Sequence, residues 1–218
     1  ADAKIPLLIS IDEEGGVVDK TYTLFGGLAA AKDMAQTGDP NAVKALGAQT
    51  ASQLSSIGIN ADLAPVVDVQ TVPDADGPLL GAPYTGNRMF GSDPQTVATY
   101  AGAFLDGLQS NGMIGTLKHF PGLGSLYASQ DPHAGLFYVD RSKADLEKID
   151  FAPYRLLIQR YHPAMIMDTD VVDTAIDPGL PAELSPKVIN GVLRQELGYD
   201  GVVVTDDLLM QGIAQRWD

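Results

Sequence analysis

Five short apolar runs, each closed by a charged residue, constrain the fold of this 218-residue chain more than any other feature. The runs cover residues 5–11, 63–69, 113–117, 164–167 and 201–205 and are rich in Ile, Val, Leu and Met. Their apolarity is continuous rather than alternating. A strand covered by helices on both faces requires that pattern, whereas a half-exposed antiparallel strand alternates apolar with polar.

The segments between the runs carry helical signals. Ser92 with Gln95 predicts a capping box, followed by Val97, Tyr100, Ala101, Phe104, Leu105 and Leu108 on one face and an Asn111-Gly112 stop. Ser185-Pro186 opens a second helix, with Val188, Ile189, Val192 and Leu193 inward and Gly198 at its end. A third spans about 41–57 and closes at Gly58, and Ser142 with Asp145 caps a fourth. Strand and helix alternate throughout, so the expected class is α/β with a parallel sheet.

The residues that close the runs are Asp12, Asp68, Lys118-His119, Asp168 with Asp170, and Asp206-Asp207. In a parallel barrel the carboxyl ends of the strands share one face, and that face carries the chemistry. Taken singly, each has a plainer explanation. One of Asp206 and Asp207 caps the helix that follows, and Lys118 is an ion-pair partner for a neighbouring Asp. His162 precedes Pro163 at a strand entrance and reads as structural, while His119 and His133 flank a Pro/Gly-rich loop at the catalytic end. The loop 71–85 is long for a strand-to-helix connection and is a candidate functional loop. Its Asp74-Ala75-Asp76-Gly77 resembles a calcium loop only faintly, since the first ligand and the distal Glu are missing.

Composition narrows the partners. There are 14 Lys+Arg against 28 Asp+Glu, a formal charge of −14, which disfavours nucleic acid and anionic lipid surfaces. Cysteine is absent, so disulfides, thiolate zinc sites and a Cys nucleophile are excluded. No apolar run approaches the ~20 residues of a membrane-spanning helix. No signal peptide is visible in this chain. Compartment, cytoplasmic or exported, and oligomeric state stay open.

Four motifs in order, Asp12-Glu13-Glu14-Gly15-Gly16, Asn87-Arg88-Met89-Phe90-Gly91, Lys118-His119-Phe120-Pro121-Gly122, and Leu180-Pro181-Ala182 through Thr205-Asp206-Asp207-Leu208, resemble glycoside hydrolase family 3. Within it they are similar to the bacterial β-N-acetylhexosaminidase branch. The resemblance implies a (β/α)8 TIM-type barrel and a retaining glycosidase acting on terminal β-linked N-acetylglucosamine of cell-wall or chitin-type fragments. It further implies Asp206 as nucleophile and the pair Asp131 and His133 as acid/base. Asp12, Lys20, Arg88, Lys118 and His119 are implied to bind sugar hydroxyls, and carbohydrate is the expected partner with no cofactor or metal. A retaining glycosidase needs a carboxylate to form the glycosyl-enzyme and a group that first donates and then accepts a proton. An imidazole oriented by a carboxylate meets the second need. Lys118 and Arg88 are expected to keep Asp206 ionised.

A complete barrel has eight strands in ~250 residues. Residues 1–218 are therefore expected to form part of a family 3 N-terminal barrel domain, lacking its first two units and its last, as a fragment of a longer protein. Departures from the family pattern are Leu123 for the second His of Lys-His-Phe-Pro-Gly-His-Gly, Val17 for a common Arg, and Asp168-Thr169-Asp170 where many relatives carry Thr-Ala-His. Rival readings are a β-glucosidase of the same family and a non-catalytic sugar-binding module. A metal-dependent barrel hydrolase would want more than these three His, and a Schiff-base aldolase on Lys118 leaves Asp206 unexplained.

Overall fold

A computed structural model describes residues 7–72, 87–127 and 129–217. Among them, five parallel strands form one sheet: β1 (Ser10–Ile11), β2 (Ala61–Asp62), β3 (Ile114–Phe120), β4 (Met165–Asp168) and β5 (Val202–Thr205), hydrogen-bonded in that order. Spatial order equals chain order, and each crossover carries a helix. The expected α/β class and barrel type hold, with a curled parallel half-barrel.

The second strand is displaced from its expected span. Its regular part is Ala61–Asp62, ahead of 63–69. Ladder bonds continue beyond it, with the Leu63 amide donating to Ile11 (2.7 Å) and the Val67 amide to Lys118 (2.6 Å). Pro65 has no amide hydrogen to give, so regular pairing breaks there and returns as a single bridge between Val66 and Lys118. The first expected run begins within residues 1–6, outside the described residues, where 73–85 of the candidate functional loop, with its Asp74–Gly77 segment, also lie.

Helices α1 (Pro40–Ser56), α2 (Pro94–Ser110) and α3 (Phe151–Tyr161) pack outside the sheet. The cap of α2 is Asp93, not Ser92: its carboxylate accepts from the Thr96 amide (2.8 Å), and Pro94 follows at the first helical position. A carboxylate at the positive helix end outcompetes the hydroxyl one residue earlier. Ser142 caps the short helix Lys143–Lys148 as expected, accepting from the Asp145 amide at 3.1 Å. The helix after Ser185, α4 (Lys187–Glu196), is of the wider π type, and the Leu197 amide reaches back five residues to Val192 (2.9 Å). A last short helix, α5 (Gln211–Ala214), follows β5.

Between sheet and helices the core is closed by Phe104, Leu105, Leu108, Leu117, Phe151, Tyr154 and Ile166. Phe120, at the end of β3, meets Tyr154 edge-on with centroids 5.0 Å apart and stacks on Phe151 at 5.9 Å. That aromatic anchor fixes the carboxyl end of the central strand, where Lys118 and His119 are presented.

Candidate active site

Strand register decides which side chains meet. Asp168 pairs with Thr205 across β4 and β5, and Ile11 with Asp62 across β1 and β2, so the carboxyl ends align along one edge. Asp12 and Asp206 share the rim of a 290 Å³ concavity walled by Ser10, Leu63, Met165 and Met167. Because Met165 and Met167 line this interior, alternation sends Ile166 and Asp168 to the helical side. Asp168 is accordingly buried within the field of Arg194 on α4 and of Tyr154 on α3. Of the pair expected at the fourth strand's end, only Asp170 reaches the catalytic face.

After β1 the chain turns through a hairpin, Glu13–Gly15 against Val18–Asp19, with Gly15 and Gly16 at φ +85° and +61°. Those left-handed conformations are where a side chain is disfavoured, which explains the Gly-Gly pair. The turn tucks Glu14 inward. Its carboxylate accepts from Arg88 Nε (2.7 Å) and Nη2 (2.9 Å) and pairs with Lys118 Nζ (2.6 Å). Lys118 also donates to Asp12 Oδ1 (2.6 Å). Burial works against the Glu14 charge, yet Lys118 and Arg88 outweigh it and hold the carboxyl well below the usual range. Burial likewise opposes the Lys118 charge, and Glu14 with Asp12 reverses it, raising the ammonium. The ion pairs of Lys118 and Arg88 thus run to the acidic group after β1, and the plainer expectation for Lys118, an Asp partner, is met as well. Glu14 went unassigned in the sequence because nothing local separates it from Glu13, whose carboxylate instead accepts the Lys20 and Thr21 amides (both 3.0 Å).

His119 and His133 each lean on a carboxylate. His119 Nδ1 lies 2.7 Å from Asp68 Oδ2, and Asp68 Oδ1 accepts the Leu123 amide (2.8 Å). His133 Nδ1 lies 2.8 Å from Asp131 Oδ1, which also accepts the His133 amide (3.0 Å). A carboxylate at Nδ1 selects the tautomer with hydrogen there and leaves Nε2 to exchange a proton. The short turn Pro132–Ala134 that carries His133 packs against α5, the helix following Asp206.

Asp206 sits beyond β5 with its amide shared between the Asp168 carbonyl (3.0 Å) and Glu183 Oε2 (3.1 Å). Neither member of the pair caps the helix that follows, since α5 begins after Met210 with no side-chain cap; exposed Asp207 accepts the Leu209 amide (2.9 Å) in the turn before it. Glu183 and Asp170 are buried nearby. Burial first, then Asp170 and Asp206, raises the Glu183 carboxyl to about 8. Glu183 carried no signal in the sequence, and Asp170 only that of a charge closing the fourth run, since their surroundings depend on proximity to Asp206 and not on a motif.

The structure therefore gathers Asp12, Arg88, Lys118 and Glu14 into one ion-pair network, and sets His119, His133 and Asp206 near enough for all three to act electrostatically on Asp170. Lys20 stands apart: its side chain is exposed at the hairpin's end and makes no hydrogen bond or ion pair with a described residue. His162 ends α3 in a left-handed conformation (φ +46°), away from the catalytic edge. Among the described residues, no cluster of three or more His, Asp or Glu side chains is disposed to hold a metal ion, and no helix is long and apolar enough to cross a membrane.

The chain is similar to known proteins over nearly its whole length. Beta-hexosaminidase LpqI of Mycobacterium tuberculosis (strain ATCC 25618 / H37Rv) is 38% identical over 220 residues, covering 98% of this chain and 54% of its own length. A beta-hexosaminidase of Nitrosomonas eutropha is 35% identical, with 94% and 58% coverage. This chain thus spans between half and three-fifths of the length of these relatives. The solved structure of a glycoside hydrolase family 3 beta-N-acetylglucosaminidase from Paenibacillus sp. str. FPU-7 superposes with a TM-score of 0.88 at 35% identity, over 98% of this chain and 39% of that one. The family description "Glycosyl hydrolase family 3 N terminal domain" matches residues 1–218, and the chain belongs to glycoside hydrolase family 3.

Proposed function

We propose that these residues supply the nucleophile and the acid/base of a retaining β-N-acetylglucosaminidase. The observation that carries the reading is the Asp131–His133 dyad, set on a turn that packs against the helix following Asp206. Asp206 attacks the anomeric carbon while His133 Nε2–H protonates the departing glycosidic oxygen, giving a glycosyl ester and the free aglycone. The neutral imidazole then takes a proton from water, the water attacks the anomeric carbon, and Asp206 leaves as a carboxylate. Asp131 holds the ring and offsets the imidazolium charge. Asp12, Lys118, Arg88 and His119 hold sugar hydroxyls, and Lys20, exposed at the hairpin's end, is left without a role in this reading. The relatives named beta-hexosaminidase support this substrate class.

The test uses the protein in its full-length natural form, with aryl β-N-acetylglucosaminide and aryl β-glucoside as substrates. Turnover of the first is expected, with Asp206→Ala lowering kcat by at least ~10³-fold. Turnover of the glucoside alone would overturn the N-acetylglucosamine assignment, and unchanged activity in the variant would overturn the nucleophile.

A further inference from the structure

Asp170 is fully buried, and its Oδ2 atom has no hydrogen-bond partner. The other oxygen receives a long bond from Thr169 Oγ1, 3.4 Å, and the Asp170 amide also favours the charged carboxyl. Oδ2 faces the backbone of Gly212 on α5: a β-carbon there would overlap it and would also lie 3.3 Å from the Gly135 carbonyl oxygen. Asp170 thus occupies the seam between the turn carrying His133 and the helix following Asp206. The side chain types around it are informative. Asp206 and Glu183 are acidic, the Gly135 carbonyl is an acceptor, and no donor reaches Oδ2. The basic side chains of its surroundings, His133 and His119, are engaged through Nδ1 by Asp131 and Asp68. A buried carboxylate oxygen that meets no donor is unfavourable, whereas a carboxylic acid brings a donor of its own to the seam.

We propose that Asp170 is a positioning residue whose protonated form seats the acid/base turn, residues 131–135, against the helix after Asp206, and whose ionisation releases it. This rests on the assignment of His133 and Asp206 above. Burial, followed by the charge of Asp206, raises the Asp170 carboxyl to about 6, with its own backbone amide and then His133 and His119 pulling the other way. The seated form is accordingly complete in acid and is lost as pH rises through about 6.

Two experiments on the full-length protein test it. On the alkaline side, activity requires a proton on His133, the acid, and a second on Asp170. The wild-type kcat/KM is expected to fall ~100-fold per pH unit there, and Asp170→Asn, which keeps the neutral shape, only ~tenfold. Equal slopes would overturn the proposal. So would an alkaline limb displaced to lower pH in the variant, because that would mean the Asp170 charge holds a protonated His133. The second needs neither a variant nor turnover. Hydrogen exchange of the amides at 133–136 in the wild type, corrected for the intrinsic pH dependence, should show protection falling several-fold between pH 5 and pH 8. Constant protection would overturn the docking role even if the glycosidase assay succeeds. Falling protection with no turnover would sustain it and count against the function assignment alone.

Discussion

Replacing Glu14 by Gln should destabilise the protein more than almost any other single-atom change in it. The Glu14 side chain is 3% exposed and serves three donors at once, two on Arg88 and one on Lys118. A Gln amide keeps one acceptor oxygen but turns an NH2 toward Lys118 or toward Arg88, setting donor against donor. With the amide oxygen at Oε1 the Arg88 Nε bond is lost, and with it at Oε2 the Arg88 Nη2 and Lys118 bonds are, each charge-assisted bond worth ~1.5–3 kcal/mol. Lys118, 2% exposed, is left with Asp12 as its counter-charge. Removing one end of a buried ion pair typically costs ~3–5 kcal/mol, in line with that sum. For a chain of this size each kcal/mol lowers Tm by ~2–4 °C, so a fall of roughly 6–20 °C is expected. Urea unfolding followed by far-UV circular dichroism measures it directly. Adding Lys118→Met to Glu14→Gln should recover part of the loss, because a buried cation without its partner is the main source of the cost. A Glu14→Gln protein within ~1 kcal/mol of wild type would refute the reasoning, since the carboxylate would then contribute no more than a surface pair.

Asp68→Asn should lower kcat/KM by ~10–100-fold with little change in KM, because the Asn amide offers His119 Nδ1 a donor as readily as an acceptor and frees the ring; unchanged kinetics would show that Asp68 serves only the Leu123 amide. Stability should decline between pH 5 and pH 8.5. Burial, the leading cause in each case, raises Asp168 and Glu183 to about 8 and Asp150 and Glu13 to about 7. The folded state therefore holds protons the unfolded chain has released, so stability present below ~4 is lost as pH rises through 7 to 8. Urea midpoints across that range check the sign, and a rising midpoint would contradict it.

The sequence by itself determined what depends on local spacing. Five parallel strands, the helix Pro94–Ser110 with its Asn111-Gly112 stop, the Ser142 cap and the charged strand ends follow from periodicity and capping chemistry, which act within a few residues. The motif around Asp206 likewise carried the family. The tertiary structure alone decided who meets whom. Glu14 gains its role from Arg88, 74 residues on, and Lys118 finds Asp12 across 106 residues. Asp168 and Asp170 look alike in sequence, yet strand alternation sends one to the helices and the chain's exit from β4 sends the other to the catalytic edge. Even the cap at Asp93 and the pause at Pro65 were contests between neighbours, settled by a carboxylate's charge and by a missing amide hydrogen. A buried charge takes its meaning from partners that only the folded sheet brings within 3 Å, and no local pattern encodes them.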